Sequence, residues 1–218
     1  MPEMNPSIRR TLAAGAAVAA TLALAACSSD SDEGSETTPS ASRTTAAANQ
    51  SVEMANLVGP GCSAYATQVP TGKGSVEAMA NDPVATAASN NPMLKQLTAA
   101  VSGKLNKKVD LVDTLNGNEY TVFAPVDTAF AAVPAKRLSR LKKDDQALVA
   151  TLTYHVVAGE LAPGKVVGEQ VTVQGGKVKV SGSGNELKVN DANVVCGGIK
   201  TANATVYLID KVLDPAKA

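Results

Sequence analysis

The chain contains no tryptophan and only two phenylalanines, Phe123 and Phe130. Bases and sugars are held by stacking on aromatic faces, so platforms of that kind are scarce. It has one histidine, His155. Any catalytic triad would need that residue as its base. No serine stands in a Gly-x-Ser-x-Gly elbow, and the tripeptide Arg-Gly-Asp is absent, which excludes integrin binding through that motif. Neither sign of charge is in excess, with 20 basic and 20 acidic residues. Nucleic-acid binders carry a strong basic surplus, so the balance argues against a nucleic-acid partner.

Long apolar runs are missing too. A helix crossing a bilayer needs about 20 apolar residues, and residues 11–26 fall short of that. This run follows a polar start ending in Arg9-Arg10 and is built mainly of Ala, Leu and Val. A basic start, a short apolar core and small residues at its end describe a secretory signal. The run ends in Leu24-Ala25-Ala26-Cys27, which resembles the bacterial lipobox. That resemblance implies residues 1–26 as a lipoprotein signal peptide, cleavage before Cys27, and diacylglycerol on its thiol. A diacyl group anchors firmly where one chain would not. The alternative is a plain secretory signal with Cys27 as a spare thiol.

Residues 27–50 are Ser, Thr, Ala and a few acids, with almost no large apolar side chain. Such a segment cannot bury enough surface to offset its ordering entropy, and it reads as a tether. Its threonine pairs, Thr37-Thr38 and Thr44-Thr45, suit O-glycosylation of an exported stalk; soluble filler is the plainer reading. From residue 51 to 218 apolar residues recur, enough for one domain with a core. Cysteine is scarce as well. With Cys27 lipidated, Cys62 and Cys196 remain, and outside the cytoplasm thiols oxidise. A Cys62–Cys196 disulfide is expected. Free thiols or a metal pair compete with it, although two cysteines and one histidine make a poor zinc set.

The domain reads as helices first and strands second. Ser75 caps a helical start at Val76-Glu77-Ala78-Met79-Ala80, and Pro83 opens another piece through Ala88. Asn91-Pro92 opens the next, with proline in the first turn. Met93, Leu94, Leu97, Ala100, Val101 and Leu105 recur there at helical spacing. Residues 120–124 form a strand stopped by Pro125. Asp127 caps a short helix holding Phe130 and Val133. Leu138, Leu141, Leu148, Leu152 and Val156 mark two further helices. Val171-Thr172-Val173, Val178-Lys179-Val180, Leu187-Lys188-Val189 and Val194-Val195 are short strands between Gly or Asn turns, and residues 206–209 form a buried strand. Helices then strands, with little alternation, point to an α+β domain.

No catalytic set emerges. Gly182-Ser183-Gly184 reads as a hairpin turn, with no helix after it to make a phosphate loop. Asp110 and Asp113 lack partners, and Asp191, Asp210 and Asp214 have no metal-ligand spacing. No metal or cofactor is expected. Two basic clusters stand out: Lys104, Lys107 and Lys108, and then Lys136, Arg137, Arg140, Lys142 and Lys143. They could meet acidic headgroups or an anionic polymer, or simply be solvated. The Met93-Leu94-Leu97-Val101 stripe reads as core, with an apolar groove as the sharper alternative.

Three segments carry a family resemblance. Residues 120–130 read Y-T-V-F-A-P-V-D-T-A-F, residues 152–159 read L-T-Y-H-V-V-A-G, and residues 205–215 read T-V-Y-L-I-D-K-V-L-D-P. In this order and spacing they resemble the fasciclin (FAS1) domain, over about residues 74–215. The stretches 82–92 and 195–198 resemble the secreted and lipid-anchored fasciclin antigens of mycobacteria and related actinobacteria. The resemblance implies a β-sandwich wedge with helices on one side, and a disulfide between the cysteines matching Cys62 and Cys196. Its motif positions here are Thr121, Phe123, Pro125, Asp127, Phe130, Tyr154 and His155. Val126 departs from the pattern, where Thr or Ser is frequent, so capping is expected to pass to Asp127. His155 is expected to be a core residue. The function implied is a non-enzymatic binding or adhesion module, held at the extracytoplasmic face of the cell membrane by its lipid and partly released. Its partner would be a protein or glycan of the cell surface or of a host. A carrier of an apolar envelope lipid is the alternative.

Overall fold

The computed structural model describes residues 56–217. The signal segment, Cys27, the tether and Thr37, Thr38, Thr44 and Thr45 lie outside the described residues.

The first half is helical: α1 (Cys62–Gln68), α2 (Val76–Met79), α3 (Val84–Asn90), α4 (Lys95–Val101) and α5 (Val112–Asn116). The Ser75 hydroxyl accepts from the Ala78 N–H and so caps α2. The expected helix start at Asn91-Pro92 is three residues early. The Asn91 side chain takes the Met93 N–H at 2.9 Å and its carbonyl takes the Leu94 N–H at 3.2 Å. Residues 91–94 are therefore a closed turn of their own, the kind Asx side chains stabilise in competition with helix.

Strand β1 (Tyr120–Pro125) leads into α6 (Asp127–Ala131), α7 (Ala135–Lys143) and α8 (Asp145–Tyr154). Val133 lies beyond the end of α6. The Asp144 side chain caps α8 by accepting from Ala147 N–H at 3.0 Å. The helix stops at His155, so Val156 belongs to a strand, β2 (Val156–Ala158), and not to the helix its apolar spacing predicted. Then come β3 (Gly168–Val171), β4 (Lys177–Ser181), β5 (Lys188–Val189), β6 (Ala192–Lys200) and β7 (Ala204–Ile209). The strand expected at residues 171–173 ends at Val171. Both the backbone N–H and the hydroxyl of Thr172 bond to the Gly176 carbonyl at 2.8 Å, which closes a turn there. After Gly182-Ser183 a single 3-10 turn (Gly184–Glu186) intervenes, where no helical turn was expected.

The strands form one mixed sheet in the order β2-β1-β7-β6-β5-β4-β3. Only β1 and β7 run parallel; the other pairs are antiparallel. Every residue of β1 and β7 is buried, as in strands covered on both faces. Successive side chains on a strand point to opposite faces. Val122 and Leu208 therefore face the helices, in a core with Leu94, Leu97, Phe130 and Leu148. Phe123 and Tyr207 face the other way, into a second core with Val178, Val180 and Val189 from the far half of the sheet. A bridge from Val157 to Thr172, with the Val173 N–H on the Val156 carbonyl at 2.7 Å, joins the two ends of the sheet. The sheet is thus folded over its own core, and the helices cover one outer face. Phe123 and Phe130 are both buried, but in different layers.

Candidate functional site

The three signature segments meet around β1. The Thr121 hydroxyl donates to the Gly159 carbonyl at 2.7 Å and accepts from the Leu161 N–H at 2.8 Å. Tyr207 also holds this loop, donating to the Leu161 carbonyl at 2.7 Å. The Tyr154 hydroxyl donates to the Lys177 carbonyl at 2.7 Å and so pins α8 to the far half of the sheet. Pro125 ends β1 opposite Ile209. Asp127 does not cap its own helix. Its backbone N–H bonds the Met93 carbonyl, and its carboxylate accepts the Gln96 N–H at 2.8 Å, capping the first turn of α4 instead. The residue before α6 is Val126, buried and without a capping group.

His155 is 3% exposed and both ring nitrogens are engaged. Nδ1 donates to the Thr151 carbonyl at 2.7 Å, and Nε2 accepts the Leu213 N–H at 2.9 Å. Burial pushes its pKa down to about 4; nearby Arg137 works in the same direction and the Thr151 bond against it. Neutral imidazole with both nitrogens committed has no site left for a substrate proton. Arg137 pairs with Asp214 at 3.0 Å and donates to the Leu213 carbonyl at 3.1 Å. It therefore stands apart from the exposed basic face of Lys136, Arg140, Lys142 and Lys143.

The acids singled out in the sequence are local fasteners. Asp110 accepts from Val112 N–H, and Asp210 accepts from both the backbone and the side chain of Asn193 at 2.7 Å. Among the described residues, no group of three or more His, Cys, Asp and Glu is placed to hold a metal. Cys62 on α1 and Cys196 on β6 are joined by a disulfide, which holds the start of the domain against the middle of the sheet.

A cavity of about 50 Å³ lies between α3, α4 and α5 on one side and β1 and the end of α8 on the other. Leu97, Val101, Leu115, Val122 and Leu152 line it, and its wall is almost entirely hydrocarbon. Of the stripe on α4, Leu97 and Val101 reach it, while Leu94 is buried in the core and Met93 packs against the core's edge. Val173 lines it as well, yet is about half exposed, so it forms part of the rim.

The model of the family described as "Fasciclin domain" matches residues 92–215. The chain belongs to the fasciclin family. The cell surface glycolipoprotein MPB83 of Mycobacterium bovis is 50% identical over 216 residues, covering 97% of this chain and 98% of that protein. The immunogenic protein MPB70 of the same species is 59% identical over 160 residues, covering 73% of this chain and 83% of that one. The FAS1 domain pair of the insect cell adhesion molecule fasciclin I matches with a TM-score of 0.54 at 16% identity, covering 64% of this chain. This chain spans 53% of that pair's length, and the likeness concerns the fold.

Within this fasciclin fold, sequence reading overlooked Asn203. Its amide donates to the carbonyls of Leu115 at 2.8 Å and Asn118 at 2.7 Å, and its oxygen accepts the Val84 N–H at 2.8 Å. One side chain thus fastens α3 and α5 to the β6–β7 turn. An asparagine in a turn gives no hint of partners so distant in sequence. The rim position of Val173 was also missed, because its alternation with Val171 reads as strand and gives no hint that the chain turns toward the cavity there.

Proposed function

We propose that this is a surface-held, non-enzymatic binding protein of the fasciclin family, anchored through lipid on Cys27. The observation that carries this reading is the 50% identity, over nearly the full length of both chains, to a protein named a cell surface glycolipoprotein. On this reading residues 1–26 are removed as a signal peptide, residues 27–50 are the tether, and residues 51–218 present the domain. Thr37, Thr38, Thr44 and Thr45 are the candidate O-glycosylation sites. The domain's polar motif residues are spent on internal bonds, as His155 and Thr121 show. Recognition therefore falls to the outer surface, against a protein or glycan of the envelope or of a host cell. Two experiments test this. Cys27→Ala should leave a folded protein that a high-salt wash strips from the membrane fraction while the parent stays; a variant that is still cleaved yet resists that wash would sink the anchor. Affinity capture with the mature chain should enrich a defined envelope or host component over a fasciclin-free control.

A second reading, carriage of an apolar envelope lipid, is favoured by one observation: the hydrocarbon-walled cavity beneath α3–α5. It is about a third of the roughly 150 Å³ that admits benzene in an engineered core, so a lipid chain would enter only if these helices part. Native mass spectrometry of protein from its own host decides. A lipid mass lost on mild organic extraction supports carriage, and a clean ligand-free mass counts against it.

A further inference from the structure

Val167, Val171 and Val173 are the exposed large apolar side chains among the described residues, at 46%, 59% and 47%. All three lie on β3 or directly beside it. Scattered single exposures need no explanation, but clustered ones mark contact surfaces. The register sets Val171 opposite Lys177 and Glu169 opposite Lys179. On β4, Val178 and Val180 are buried while Lys177 and Lys179 are exposed, so Val171 shares its outward face with these lysines. Lys177 pairs with Glu169 at 3.0 Å, both well exposed, a pairing that contributes little. Lys165, just before this stretch, is exposed too. The result is a narrow apolar edge bordered by cations, one of whose valines is also the rim of the apolar cavity.

We propose that the Val167–Val171–Val173 edge is a bilayer-contact surface that seats the domain on anionic lipid, with the valines at the acyl boundary and the lysines at headgroup phosphates. Apolar tips flanked by lysines are the composition of interfacial anchors, and juxtamembrane lysines are drawn to anionic leaflets. A second copy of the chain is a poorer occupant, because three valines expose far less than the roughly 800 Å² per partner of a stable interface. An added protein strand is poorer also, since Thr172 and Val173 already bond to Val157 and Val156 along that side. Proximity comes from the Cys27 anchor, on which this inference rests. Even fully extended, the chain from Cys27 to Asn56 spans only about 100 Å at roughly 3.5 Å per residue.

The absence of tryptophan makes a clean test possible. Val171→Trp and, on the exposed face of α7, Lys142→Trp each give one reporter. The lipidated proteins are reconstituted into phosphatidylglycerol–phosphatidylcholine vesicles with brominated acyl chains. Val171→Trp should emit further to the blue and be quenched several-fold more than Lys142→Trp. Equal quenching in protein that floats with the vesicles overturns the proposal. Failure to float identifies a failure of the anchor, and there a soluble measurement decides. The Cys27→Ala chain should sediment with the same vesicles, and V167S/V171S/V173S should reduce the bound fraction about tenfold, at three half-exposed apolar side chains lost. An unchanged fraction, or a dimer in sedimentation velocity that depends on Val171, rejects the bilayer contact. Circular dichroism matching the parent's confirms that each variant is folded.

Discussion

The Nε2 of His155 accepts the backbone N–H of Leu213 at 2.9 Å, across 58 residues of chain. Leu213 is itself buried, and its carbonyl is held by Arg137, whose other nitrogen pairs with Asp214. The end of the domain is therefore fastened to α8 and α7 by one imidazole and one guanidinium.

The latch makes stability depend on pH. His155 has its pKa lowered from 6.5 to about 4, chiefly by burial. Between those values the unfolded chain binds the proton and the folded one does not, so stability is full above about 6.5 and falls as pH drops toward 4. At 1.36 kcal/mol per unit the loss is on the order of 3 kcal/mol. Urea midpoints from pH 7 to pH 5, above most carboxylate titration, should decline. In His155→Gln that slope should flatten although the protein is weaker at pH 7. A midpoint independent of pH in the parent protein would refute the latch.

Reduction should also destabilise the domain. The Cys62–Cys196 bond closes a loop of 134 residues, and the chain-entropy account puts its contribution at about 5 kcal/mol as an upper figure. Cys62→Ser with Cys196→Ser should melt well below the oxidised parent. Alkylation without reductant should add no mass to this pair. Two added alkyl groups would show free thiols.

Asp127→Ala should cost about 1 kcal/mol, the ordinary value of a lost helix cap. The loss belongs to α4, not to α6, because the carboxylate bonds the Gln96 N–H. Amide exchange at Gln96 should therefore quicken in the variant while the Phe130 amide, bonded to the Val126 carbonyl, changes far less. The opposite pattern would return the cap to its own helix.

Asn203→Ala removes three bonds at once and leaves the Leu115 carbonyl and the Val84 N–H short of partners. An unsatisfied buried polar group costs about 1–3 kcal/mol, so a loss of about 2 kcal/mol is expected by denaturant unfolding. Asn203→Asp keeps the acceptor but loses the donors and should fall between the parent and Ala. A neutral Ala variant would mean water replaces all three bonds.

The sequence by itself determined the α+β class and the two strands that pair in parallel, although not that they pair. Residues 120–124 and 206–209 are apolar runs, and such runs fit strands buried on both faces; the strands themselves reach Pro125 and start at Ala204. It also determined the Ser75 cap and the buried state of His155, since these follow from residue type and near neighbours. The end of α8 was not legible: Val156 continues the helix's apolar spacing, and only its pairing with Val122 makes it a strand. Which helix Asp127 caps, which carbonyls Asn203 holds and where the cavity opens were decided by the tertiary structure alone. Each depends on groups tens of residues away, brought within about 3 Å by the packing of the helices on the sheet. Val171 makes the same point. Its β-branched side chain reads as core, and only the direction in which β3 faces the folded sheet leaves it at the surface.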